Sequence, residues 1–508
     1  MSDNLYQHFQ TVIDRQPQAT FLTTPAGQVI RYGELPTLTA RLAGALVALG
    51  VEQGDRVAVQ VEKSPETILL YLACLRMGAV YLPLNTAYTG EEVTYFLGDA
   101  EPALFVCRPQ DEAEAQTLCA AQPRTALATL DADGGGHLMD QAAKAEPFEG
   151  IALCGADDLA SILYTSGTTG RSKGAMLTHG NLRSNAEALV ETWRFKATDR
   201  LIHALPIFHI HGLFVACNTV LASGASMLYL PRFDADEVID AMADGTVLMG
   251  VPTFYSRLLK SPRLDHHAVA AMRLFVSGSA PLTAETHQAF SERTGVAILE
   301  RYGMTETGMN SSNPYDEARR AGTVGFPLPG VEIRITQPER GEALPQGEVG
   351  MIEVRGPNVF AGYWRMPGKT AEELRADGWF MTGDLGMVDS QGYLQIVGRG
   401  KDLVISGGYN VYPREVEQII DEHPDVEESA VIGVPHPDFG EGVTAIVVPA
   451  AGAEPTKAAI MEALSGRLAR FKQPKEVMFV DSLPRNAMGK VQKNQLRDAY
   501  AELYSTIE

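Results

Sequence analysis

Between Leu42 and Leu84 the spacing of apolar residues changes repeatedly. LAGALVALG (42–50) has helical spacing, Gln53-Gly54-Asp55 interrupts it as a turn, and RVAVQV (56–61) alternates as a strand. PETILLYLACLRMG (65–78) then reads as a second helix and AVYLPL (79–84) as a second strand. Further strand-like runs stand at ALFVC, RLIHALP, SMLYL, VLMG and RLFVSG. Strands alternating with helices predict an α/β layered architecture. After Val397 the pattern turns richer in glycine and charge, and REVEQIIDEHPDVEESAVIGVPH predicts a helix followed by a strand. The expected organisation is a large N-terminal domain of several subdomains, 1–399, and a small C-terminal α+β domain, 400–508, with a boundary near Arg399 to Asp402. The run Asp131 to His137 reads as a surface loop, and no repeat of 20 to 50 residues is visible.

Composition narrows the chemistry. A chain of 508 residues exceeds one ordinary core. Its 42 Lys+Arg against 63 Asp+Glu, a net charge of −21, disfavour non-specific attraction to nucleic acid or an anionic membrane. An anionic substrate would therefore need local cations and backbone N–H groups. Five cysteines, widely spaced and never in a CxxC pair, fit a reducing compartment and no zinc site. The N-terminal stretch lacks a basic start followed by an apolar core, and no apolar run approaches membrane-spanning length, so a cytoplasmic protein is expected.

The strongest local signal is YTSGTTGRSKG (164–174), which follows the apolar run LASIL. Glycines let a backbone approach phosphate oxygens closely, hydroxyls add hydrogen bonds, and Lys173 supplies a compact charge. The spacing is not that of a P-loop. A flexible linker is the bland alternative, but a linker would not sit between a buried strand and Met176-Leu177. In ERYGMTET (300–307), Tyr302 can stack on a purine, Thr305 can reach a phosphate and Glu306 offers the hard oxygen that Mg²⁺ prefers. Asp384, in a glycine turn, can accept from two ribose hydroxyls.

These segments, together with LPIFHIHGL (205–213), VSGSAPL (276–282), GWFMTGDLG (378–386), GRGKDLVISGGYNVYPREVE (398–417) and LPRNAMGKVQK (483–493), resemble in order the motifs of the AMP-binding superfamily of acyl-CoA synthetases, luciferases and adenylation domains. The resemblance implies an acyl-CoA synthetase fold with a mobile C-terminal domain. It also implies an ATP-dependent, Mg²⁺-requiring acid:CoA ligase that forms an acyl-AMP, releasing pyrophosphate and then AMP. ATP and AMP would be held by Thr165, Ser166, Gly167, Thr168, Thr169 and Lys173, by Gly278, Ser279 and Ala280 beside the adenine, and by Glu300, Arg301, Tyr302, Gly303, Met304 and Thr305. Asp384 and Arg399 would hold the ribose and Glu306 the metal. Lys490, Thr305, Glu306 and His209 are the implied catalytic residues. Lys490 would serve adenylation but not thioester formation, a role that matches the negative charge building on the phosphoryl oxygens. Lys401 falls at the family's hinge, and Ser406, Gly407 and Gly408 on the strip that lines the thiol tunnel.

For the acid, the LPIFHIHGL segment lacks the aspartate with which amino-acid-activating domains hold an amino group, and no carrier module follows Glu508, so free CoA is the expected acceptor. VPTFYSRLLK (251–260) predicts a helix with Val251, Phe254, Tyr255, Leu258 and Leu259 on one face and Arg257 at its edge. Arg257 could pair with a second substrate carboxylate or lie along the surface. The whole chain resembles malonyl-CoA synthetases, which implies malonate or methylmalonate. Arg273 is a second candidate cation, His209, Ser279 and Met304 are expected to line the acid pocket, and His211 either joins them or is packed. The rivals are a ligase for a fatty or aromatic monocarboxylic acid and a non-catalytic nucleotide-binding protein. The latter would be marked by decay at Lys173, Glu306, Asp384 or Lys490, and all four are present. Expected partners are the acid, ATP and CoA, with a lysine acetyltransferase and deacetylase acting on Lys490, in a monomer or weak homodimer.

Overall fold

The computed structural model describes residues 2–165, 172–337, 341–406, 409–437, 439–465, 467–468, 470–486 and 489–504. The chain divides into two compact units, one of 1–333 with 354–380 and the other of 334–353 with 381–508.

The first unit contains two twisted sheets. One runs, strand by strand, 362–363, 173–178, 159–165, 80–83, 56–60, 104–107 and 126–129, parallel in its centre and antiparallel where the hairpin 159–178 joins its edge. The alternation read from the sequence between residues 42 and 84 is here: the helices Leu35–Ala48 and Pro65–Met77 and the strands Arg56–Gln60 and Val80–Pro83. Pro65–Met77 shows why. Ser64 caps it by accepting from the Thr67 N–H at 3.2 Å, proline opens its first turn, and Gly78 closes it at φ +73°, a conformation that costs glycine little. The second sheet has the order 326–327, 308–312, 299–304, 274–277, 247–250, 200–203, 226–229, 20–23, 29–31. Its six central strands are parallel, so loops gather at their carboxyl ends, where α/β sheets bind ligands.

The second unit holds most of a small sheet ordered 332–336, 350–355, 380–388, 394–399, and a five-stranded one in which 440–449 is flanked by 404–406, 426–436 and 476–479, with 409–411 at the edge. The helix Pro413–Asp421 and the strand Val426–His436 realise the helix-then-strand expectation. Among the described residues no helix is long and apolar enough to cross a membrane.

Candidate active site

The glycine-rich segment leaves the strand Leu159–Thr165 and returns in Lys173–Thr178, with Thr165 opposite Lys173. Ser166, Gly167, Thr168 and Thr169 lie outside the described residues. Both stems are gripped by one helix, Gly90–Ala100. The Tyr164 hydroxyl donates to Asp99 at 2.5 Å, and the Tyr95 hydroxyl donates to the Ser172 carbonyl at 2.7 Å. Burial and the Asp99 bond push the Tyr164 phenol upward, which keeps it a donor. Tyr95 and Asp99, four residues apart on one helix face, are anchors that sequence reasoning missed; their i, i+4 spacing was the available signal.

Lys173 meets a group no motif announced. Its Nζ lies 3.1 and 3.3 Å from the Glu373 carboxylate and 4.1 Å from the Tyr363 ring centre. The Tyr363 hydroxyl is 2.6 Å from Glu373 and 3.0 Å from Glu306. Burial raises the Glu373 carboxyl, but the Tyr363 hydroxyl and the Lys173 ammonium together hold it below the ordinary glutamate range. The Tyr363 hydroxyl thus stands between two carboxylates, of which Glu306 is buried. A hard divalent cation fits that donor set. Thr305, half-buried, shares the turn between the strands Leu299–Met304 and Gly308–Ser312, whose close approach requires Gly303: a Cβ there would lie 2.2 Å from the Gly308 carbonyl.

The next strand pair supplies a second cation. Arg301 is 3% exposed, and its Nε and Nη2 have no hydrogen-bond partner among the described residues. Burial pulls it down to about 9, so it is still charged at neutral pH. It packs on the neighbouring strand's end so tightly that a Cβ at Gly278 would fall 2.4 Å from its guanidinium carbon. The Ser279 hydroxyl lies 3.2 Å from Nδ1 of His211, while His211 Nε2 has no partner among the described residues. Burial first, then the Arg301 charge and nearby imidazoles including His209, hold His211 far below the usual histidine range. A neutral imidazole thus shares a wall with a guanidinium that has no ion-pair partner among the described residues, an arrangement suited to a small anion. Met304, half-buried, contacts the Tyr302 hydroxyl through its sulfur at 4.0 Å, Glu300 accepts the Gly322 N–H at 3.2 Å, and Ala280 is exposed.

Arg257 had two readings, a partner for a substrate carboxylate or a surface residue. It stands exposed on the helix Pro252–Lys260, whose buried residues are Phe254, Tyr255 and Leu258, because helical periodicity turns position 257 away from that face. Arg273 serves a strand entry: its guanidinium makes two 2.7 Å bonds to Asp199.

Ser279 has φ +71°, the left-handed region, where a non-glycine residue costs about 1 kcal/mol or more. Ser279→Gly is expected to raise stability by about 1 kcal/mol and to weaken acid binding, since the His211 partner is lost. Denaturant midpoints read beside the acid KM will check both signs.

In the second unit, Asp384 and Arg399 face each other across the strands Phe380–Val388 and Leu394–Arg399, with Nε 3.0 Å from the buried carboxylate. Lys401 is exposed on the short turn Gly400–Asp402, and Ser406 is buried at the end of Val404–Ser406. Gly407 and Gly408 lie outside the described residues. Lys490 is exposed, its N–H donating to the Asn486 side chain at 3.0 Å and its carbonyl accepting the Asn486 N–H at 3.0 Å.

Known proteins resemble this chain over most of its length. A family model described as AMP-binding enzyme matches residues 9–364, and one described as AMP-binding enzyme C-terminal domain matches 415–490. The fold superposes on ATP-bound MatB from Rhodopseudomonas palustris with a TM-score of 0.97 at 57% identity, covering 99% of this chain and 100% of that one. An indoleacetate–CoA ligase of Aromatoleum aromaticum is 37% identical, covering 93% of both chains, and a malonate–CoA ligase of Arabidopsis thaliana is 35% identical, covering 88% of this chain and 78% of the other.

Proposed function

We propose, from the premise that the chain belongs to the AMP-binding enzyme family, that this ATP-dependent acid:CoA ligase takes malonate or its methylated relative as its acid. The ligase reaction runs through an acyl-adenylate: the substrate carboxylate attacks the α-phosphate of ATP, pyrophosphate leaves, and the CoA thiol then displaces AMP from the acyl carbonyl.

Arg301 carries the choice of acid. The two nitrogens without partners among the described residues, Nε and Nη2, form the side-on edge that a carboxylate meets with two parallel hydrogen bonds. A buried cation lacking a counter-charge is costly, and the distal carboxylate of a short diacid offsets that cost. A fatty or aromatic monocarboxylic acid would leave the charge uncompensated. The malonate–CoA ligase and the indoleacetate–CoA ligase are similarly distant from this chain, so the reading rests on the guanidinium rather than on overall identity.

Around the reacting atoms, His211 with Ser279 orients the acid, and Lys173 with the helix-anchored stems meets the ATP phosphates. Magnesium, when bound, draws negative charge off the phosphate oxygens. Glu306 is the residue assigned to hold it, with the Tyr363 hydroxyl keeping that carboxylate in place. Asp384 and Arg399 hold the ribose, Lys490 neutralises charge during adenylation, and Ser406 belongs to the thiol path, with the pivot between 1–399 and 400–508 near Lys401. Five buried free thiols support a reducing, cytoplasmic setting. The exposed Lys490 is open to a lysine acetyltransferase.

A competition assay with malonate, methylmalonate, acetate, octanoate and benzoate at equal concentration, read by mass spectrometry of the CoA thioesters, tests the acid. Malonyl- or methylmalonyl-CoA should dominate, and a majority of octanoyl- or benzoyl-CoA would refute the diacid.

A further inference from the structure

Lys63 follows the strand Arg56–Gln60, outside every motif named above. Its ammonium lies 2.9 Å from Nδ1 of His203, 2.8 Å from the His203 carbonyl and 2.5 Å from the Leu230 carbonyl. Three N–H groups thus meet three acceptors, with the Tyr229 ring centre 4.3 Å away. The Gly212 carbonyl beside Nε2 can only accept, so the ring proton of His203 sits on Nε2 and Nδ1 accepts from Lys63. That N–H donates to the Gly212 carbonyl at 2.8 Å, and the Cys217 thiol donates to the same oxygen at 3.3 Å.

Gly212 lies in the π-helical turn His211–Cys217, a wide helix form that recurs at functional sites. No side chain fits at 212, since a Cβ would stand 2.0 Å from the Pro206 carbonyl. One peptide earlier is His211, whose ring meets Ser279. A line of donors therefore runs from Lys63 through His203 to Gly212 and ends beside the imidazole of the acid pocket.

We propose that Lys63 is a positioning residue for acid recognition: by holding the ring of His203 at Nδ1 it locks the Gly212 carbonyl, and with it the direction in which His211 presents Nε2 to the substrate. The inference rests on the pocket assigned above, though not on which acid fills it. Removing Lys63 takes away the donor that fixes Nδ1 and frees the His203 ring to turn from Gly212, whose carbonyl then keeps the weaker bond from the Cys217 thiol.

The test uses whichever acid the wild-type enzyme prefers in competition. Lys63→Met should raise the KM for that acid about tenfold, with the KM for MgATP in pyrophosphate exchange within about twofold and kcat within about threefold. Combining it with His203→Gln, whose amide can donate to Gly212 unaided, should recover most of the acid affinity. A buried-charge role in stability would show no such rescue, so an unchanged acid KM, acid and MgATP values rising together, or no rescue would each overturn the proposal. Spectra of ¹⁵N-histidine-labelled wild-type enzyme provide a check independent of any variant's folding: the Nε2–H form of His203 supports the proposal and the Nδ1–H form refutes it. Failure of the pocket itself would appear separately, as unchanged acid selectivity in an Arg301 variant.

Discussion

Arg301→Leu is expected to lower kcat/KM for malonate by about 3 kcal/mol, roughly 150-fold, while acetate is turned over as well as before or better. The guanidinium is enclosed, and its Nε and Nη2 are without partners among the described residues, so a diacid gains there a bidentate, charge-assisted pair shielded from water. The leucine variant leaves the distal carboxylate buried against an apolar wall, which is the costly way to break such a pair. Acetate has no distal carboxylate and loses nothing. The substitution also removes a buried cation that has no counter-charge among the described residues, so thermal unfolding should occur at the same temperature or higher. That sign distinguishes a binding role from a structural one, because loss of a structural arginine would lower the midpoint together with activity toward both acids. Malonate turnover retained within threefold would end the assignment.

Lys490→Ala should suppress adenylation by about two to three orders of magnitude, measured as pyrophosphate exchange, and leave thioester formation from supplied acyl-AMP nearly intact. Negative charge accumulates on phosphoryl oxygens and the attacking carboxylate during adenylation, whereas the thiol step disperses charge that the adenylate already carries. The N–H and the carbonyl of Lys490 are both bonded to Asn486, and its side chain is exposed. An alanine there keeps both bonds, so a selective kinetic loss reports on the ammonium. Equal losses in both half-reactions would contradict the division of labour.

These two residues illustrate what a chain makes legible before it folds. Lys490 drew its expected role from a short sequence motif, as did Lys173, Glu306 and Asp384. Arg301 stood in an equally plain motif, yet its place in a wall was hidden: that depends on Gly278 at the end of the adjoining strand, on His211 ninety positions upstream and on which side of the strand faces them. Arg257 drew attention as a charge at the edge of an apolar helix face, and the helix rotated it to solvent. Spacing alone could not decide between the edge and the outside.

By itself the sequence determined the alternation of strands and helices, the capped ends of elements such as Pro65–Met77, and the order of motifs that marks an adenylate-forming ligase, because periodicity, capping and loop chemistry act over a few residues. The tertiary structure alone decided that Glu373 meets Lys173 across 200 positions, that Tyr363 stands between two carboxylates, that Lys63 reaches His203, and that Arg301 rather than Arg257 turns inward. Those are contacts between distant segments, and burial, which sets the strength of a charge, exists only once the segments have packed.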